Sequence, residues 1–154
     1  MALSRRNIRN VIVCDDIRRE DNGKLILIGV YSDQILIDSF PAVLTFTIYC
    51  EIMPDSLEPI ILNARVYFGK KSKTNVPLQM RLDIILNKLG VIPVVLPKTS
   101  FSATQEGTYH VDISFEGSKW VTLVEKSIDL SRNPIPSIVS TQPVLQSDSG
   151  VQGS

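Results

Sequence analysis

The stretch Glu106–Phe115, EGTYHVDISF, narrows what this chain can fold into more than any other. Tyr109, Val111, Ile113 and Phe115 alternate with His110, Asp112 and Ser114, the period of two that a strand with one buried and one wetted face requires. A helix would scatter those apolar residues around its circumference. The stretch therefore reads as a central strand of a layered β structure, with His110 and Asp112 on its outward face. Gly107, just ahead of it, suits a turn that needs positive φ.

The same alternation recurs along the chain. Leu44, Phe46, Ile48, Cys50 and Ile52 oppose Thr45, Thr47, Tyr49 and Glu51; Leu62, Ala64, Val66 and Phe68 oppose Asn63, Arg65 and Tyr67; Leu78, Met80, Leu82, Ile84 and Leu86 oppose Gln79, Arg81, Asp83, Ile85 and Asn87. Lys24–Tyr31 is different, because it is nearly all apolar, the pattern of a strand covered on both faces inside a sheet. Asn22-Gly23 ahead of it predicts a type I′ hairpin turn, leaving Asn10–Cys14 as the first strand and Asp15–Asp21 as a charged segment in water. Pro93 has no N–H for a ladder, so Val91–Leu96 is an edge strand or a bulge. Lys98–Gln105 reads as a loop, and Lys119–Asp129, carrying Trp120, as the last strand.

These signals define an all-β fold, an antiparallel β-sandwich over residues 1–130. A chain of 154 residues buries about 70% of its unfolded surface as one domain, so no metal or disulfide is needed to hold the core. Composition then shifts. Residues 131–154, SRNPIPSIVSTQPVLQSDSGVQGS, carry no aromatic residue and almost no charge, and they read as a flexible tail or one ordered by a partner.

Lysine plus arginine equals aspartate plus glutamate, 16 against 16, so no net field draws in nucleic acid or an anionic membrane. Arg5, Arg6 and Arg9 precede an apolar run, Val11–Cys14, that is too short for a signal-peptide core or a membrane span, which sets a cytoplasmic expectation. Cys14 and Cys50 both sit inside apolar runs and read as small buried hydrophobes kept reduced.

No Gly-rich phosphate loop, nucleophile elbow, paired CxxC or HExxH occurs. His110 is the single histidine; with Asp112 it makes a weak metal pair, and a solvated strand face is the simpler reading. Asp15, Asp16, Glu20, Asp21 and Asp33 have oxygen ligands suited to calcium, but Arg18 and Arg19 lie among them. The expectation is a non-enzymatic module with no cofactor, binding a protein partner or a second copy of itself. Tyr67 and Trp120 are its candidate anchors and Val91–Leu96 its candidate edge, because aromatic residues concentrate at binding hot spots. The alternative is a small-molecule or nucleotide ligand held by loops at one end of the sandwich, using Arg18, Arg19 and the lysine loop Lys70, Lys71 and Lys73.

Two resemblances add to this. Glu106-Gly-Thr-Tyr-His-Val111 resembles the lead-in to strand F of immunoglobulin-like domains, which implies that the Tyr109 hydroxyl returns to backbone at the preceding corner. Val111 stands where antibody-type domains have a cysteine, so their inter-sheet disulfide is not implied. Val13–Ile35, VCDDIRREDNGKLILIGVYSDQI, followed by Phe40-Pro41, resembles the opening signature of a widespread bacterial family of small cytoplasmic proteins with no assigned function. That resemblance implies a β-sandwich of bacterial or phage origin and supplies no catalytic residues.

Overall fold

The computed structural model of the chain describes residues 3–70, 77–116 and 118–132. Nine strands form within them: β1 (Ile8–Arg19), β2 (Leu25–Tyr31), β3 (Gln34–Ile37), β4 (Ala42–Ile52), β5 (Ile60–Phe68), β6 (Leu78–Ile84), β7 (Ile92–Ala103), β8 (Gly107–Phe115) and β9 (Val121–Leu130). They make a four-stranded sheet in the order β2-β1-β4-β7 and a five-stranded sheet in the order β3-β9-β8-β5-β6. All neighbours are antiparallel except β3 and β9, which run parallel. The all-β sandwich read from the alternation is the fold observed.

The alternating residues do what their period demands. Val13, Phe46, Ile48, Cys50, Ile52, Val94 and Leu96 of one sheet meet Leu62, Ala64, Val66, Tyr109, Val111, Ile113, Val124 and Ile128 of the other in a single core. Phe46 stands edge-on to Tyr109 at 5.1 Å, while Phe101 lies flat against Tyr109 at 5.2 Å and against Phe68 at 5.6 Å, the offset and T-shaped geometries that ring quadrupoles favour.

Several local expectations are corrected. The first strand does not stop at Cys14 but runs on to Arg19, so Asp15 and Asp16 lie within it. The hairpin that follows is not type I′: Gly23 has φ 85° but Asn22 does not enter the positive region. Glu20 and Gly23 close the turn, Glu20 N–H donates to Lys24 O, and Asn22 Oδ1 accepts from Lys24 N–H at 2.9 Å. This is a three-residue loop with glycine in the left-handed position, the alternative that the same residues serve equally well. Lys98–Ala103 is not loop but the second half of β7, where Thr99 pairs with Phe46 and Phe101 with Leu44. Trp120 lies just before β9, not in it.

Gly107 is needed for space, not for a turn. Its φ is not positive, and a Cβ there would come within 2.6 Å of the Phe68 ring. The hydroxyl of Tyr109 makes no hydrogen bond among the described residues, so the backbone bond of a tyrosine corner is missing. Tyr109 is fully buried as a core aromatic instead.

The largest correction concerns Lys24–Tyr31. The strand formed there, β2, is not inside a sheet; among the described residues it is the outer edge of the four-stranded sheet, paired with β1 alone. Leu25, Leu27 and Tyr31 turn toward the core side, while Ile26, Ile28 and Val30 face outward at 43%, 36% and 57% exposure.

Candidate functional site

The outward faces of β5, β8 and β9 assemble a polar cluster around Asp112. Register places Arg65 opposite Asp112 and Tyr67 opposite His110 across the β5–β8 ladder. Across β8–β9, Asp112 faces Thr122 and His110 faces Glu125. A bulge between those two pairs puts Leu123 and Val124 both into the interior while Thr122 and Glu125 stay outside, the re-aiming that one extra residue on a strand produces.

Asp112 is only 3% exposed, although its strand face was expected to be wet. A buried carboxylate is tolerated when it is paired and its oxygens are hydrogen-bonded, and both conditions hold. Arg65 Nε donates to Oδ2 at 2.9 Å, Tyr67 Oη donates to the same oxygen at 3.3 Å, and Thr122 Oγ1 donates to Oδ1 at 3.0 Å. The outer side of this core is aromatic. The Arg65 guanidinium lies 4.3 Å from the centre of the Trp120 ring, a cation–π contact, and Tyr67 stacks on His110 at 4.8 Å with the rings 12° apart. His110 Nδ1 stands 3.8 Å from Glu125 Oε2.

Tyr67 and Trp120 therefore come together on one sheet face, through residues that alternation placed outside but did not connect. Arg65 and Thr122 were missed as members of the cluster; the signal available was only their outward phase. Both Asp112 oxygens are engaged as acceptors, so this carboxylate fixes the side chains around it. Among the described residues no group of three or more His, Cys, Asp or Glu gathers in metal-binding range.

Arg18 and Arg19 lie elsewhere, at the hairpin end of β1 in the other sheet. Arg18 Nε sits 3.6 Å from Asp16 Oδ2, and Lys98 Nζ reaches Asp16 Oδ1 at 2.9 Å from β7. Since β4 lies between β1 and β7, Lys98 reaches Asp16 across the outward face of β4, the face on which Cys14 and Thr47 are also buried. The hydrogen bond from Lys98 holds the Asp16 carboxyl below the usual carboxylate range. Burial pushes the Cys14 thiol up, with the Asp15 and Asp16 charges adding to it. Cys50 faces the core and burial raises it to about 11, so both cysteines are free thiols held neutral, as small hydrophobes are. Lys70 follows β5, while Lys71, Lys73 and residues 133–154 of the expected tail fall outside the described residues.

Among the described residues no helix is long and apolar enough to cross a membrane. Comparison with curated proteins gave no match. A family model does match, over residues 9–123, which takes in nearly all of β1, the strands up to β8 and the start of β9, and with them Arg65, Tyr67, His110, Asp112, Trp120 and Thr122 of the Asp112 cluster. The chain belongs to that family, a family of unknown function (DUF6941).

Proposed function

We propose that this protein is a non-catalytic protein-binding module of bacterial or phage origin, working in the cytoplasm, and that its recognition surface is the outward face of the five-stranded sheet. The observation that carries this reading is the Asp112 cluster. One buried carboxylate holds Arg65 and Tyr67 in place, and these in turn position Trp120 and His110, all four side chains only partly buried. Tryptophan, tyrosine and arginine are the residue types that dominate binding hot spots, and side chains locked before association lose less entropy on binding. A flat sheet face with its polar groups already satisfied suits a protein surface better than a small ligand, which needs concavity.

The test is affinity capture with the full chain followed by quantitative titration of the partner obtained. Trp120→Ala is expected to weaken that binding by about tenfold or more while leaving the fold intact by circular dichroism. Unchanged affinity would remove this face from consideration.

A second reading rests on a separate observation: an open cleft at one end of the sandwich is lined by Phe68, Phe101, Lys70, Gln105 and Thr104. Aromatic walls beside a cation fit a small anionic ligand such as a nucleotide. Native mass spectrometry of freshly purified protein would reveal a retained ligand as added mass.

A further inference from the structure

β2 carries the residue pattern of a strand covered on both faces and has an open edge instead. Its outward residues Ile26, Ile28 and Val30 are all at least one-third exposed. The other three free edges are each blunted in a recognised way. β7 carries Pro93, Pro97 and Lys98; β6 carries Arg81 and Asp83; β3 is four residues long. β2 has seven residues, Leu25–Tyr31, with no proline and no charge; its one irregularity is Gly29, at φ 64°, which the proposed register sets opposite Leu27.

We infer that the β2 edge is a self-association site, where a second copy of this chain pairs antiparallel with β2 and continues the four-stranded sheet across a two-fold axis at Ile28. This goes beyond the binding reading above, since it lies on the opposite sheet and shares no residue with the Asp112 cluster.

Three features single out a second copy as the occupant. First, a two-fold axis normal to the sheet sets like residues against like, which a charged strand resists and this one does not. Ile28 meets its own counterpart and Ile26 meets Val30 on the outward side, while Leu25 meets Tyr31 on the core side, so the pairing is apolar on both faces. Second, the flanks are complementary in charge. Lys24 precedes the strand and Asp33 follows it, and neither makes an ion pair with a described residue. Antiparallel pairing about Ile28 brings Lys24 of each copy beside Ser32 and Asp33 of the other, at both ends; parallel pairing would set lysine by lysine. Third, the contact is closed. The edge is used once by each copy, so the product is a dimer with one eight-stranded sheet, four strands from each chain, and not a fibre.

The experiment is sedimentation velocity on the full chain over a concentration series, with Ile28→Lys and Ile28→Glu alone and mixed. Ile28 points to solvent in the single chain, so both variants are expected to keep the wild-type circular dichroism spectrum. The wild type is expected to sediment as a dimer. Each variant alone is expected to dimerise at least about a hundredfold more weakly, because two like charges then face each other at the axis. The equimolar mixture is expected to recover the dimer as a Lys–Glu heterodimer. A wild type that stays monomeric throughout overturns the inference, as does an Ile28→Lys variant that dimerises like the wild type. Trp120→Ala is expected to leave the dimer unchanged, which separates this site from the face proposed above.

Discussion

Arg65 and Asp112 face each other across the β5–β8 ladder, Nε to Oδ2 at 2.9 Å, with the arginine side chain 21% exposed and the aspartate 4%. The pair is neither a surface salt bridge nor fully interior. Removing the acid strands a guanidinium between Trp120 and the sheet and leaves Thr122 without its acceptor. Asp112→Ala is therefore expected to destabilise the fold by about 3 kcal/mol, the lower end for breaking a buried pair because Arg65 keeps some water. Asp112→Asn, which retains an acceptor oxygen, should lose roughly half as much. Urea midpoints measure both, and a loss under about 0.5 kcal/mol for the alanine variant would class the pair with exposed bridges.

Tyr109 gives the opposite sign. Its hydroxyl is buried and unbonded, so Tyr109→Phe is expected to be neutral or to stabilise by up to about 1 kcal/mol, whereas a tyrosine corner predicts a loss of similar size. Burial lifts the phenol from its ordinary 10.0 to about 12. A folded pKa above the unfolded one favours the neutral phenol in the fold. Its contribution is thus complete below about pH 10 and disappears as pH rises toward 12. Thermal unfolding across that alkaline range should fall less steeply for Tyr109→Phe than for the wild type.

Phe46 and Leu82 rank core positions that looked alike in the alternation. Phe46 is 1% exposed and touches Tyr31, Phe101 and Tyr109, so Phe46→Ala should cost about 3–5 kcal/mol, a large fraction of a typical domain's stability. Leu82 sits on the edge strand β6, only partly buried against Leu62, and Leu82→Ala should cost about 1 kcal/mol. Chemical denaturation of the two variants checks the order, and equal losses would contradict the edge position of β6.

Lys98 carries two linked expectations. The fold favours charged Asp16, so this contribution is present above the ordinary carboxylate value of 3.8 and is lost as pH falls through the lower folded value. Lys98→Met, which keeps the stem and loses the ammonium, should move the Asp16 titration upward in a carboxyl NMR experiment. Lys98→Ala removes the stem as well, and should raise the labelling rate of Cys14 by a thiol reagent while Cys50, on the core side, stays protected.

Period-two alternation made the sandwich legible because burial on one face imposes it directly, and Tyr109, Leu62 and Phe46 took the sides it assigned. It failed where two strand faces have unequal surroundings. Lys24–Tyr31 is apolar on both faces, a pattern that says both are covered but not by what. Asp112 and Arg65 were each placed outside correctly, yet the ion pair between them depends on register across 47 residues, which no local pattern encodes. Lys98–Gln105 lacks a continuous apolar run, and the strand character of its first part, Lys98–Ala103, comes from the ladder with β4, a tertiary effect that outweighs propensity.

The parallel pairing of β3 with β9 bears on how the molecule comes into being at the ribosome. Among the described residues Gln34–Ile37 has no other strand partner, and the residues it pairs with, Ser127–Leu130, end the last strand of the sandwich. While the chain is being made, β1, β2 and β4 can already zip together, but β3 must wait for nearly the whole domain to emerge. The five-stranded sheet is therefore completed after translation has passed residue 130, and a nascent chain stalled before that point holds β3 unpaired.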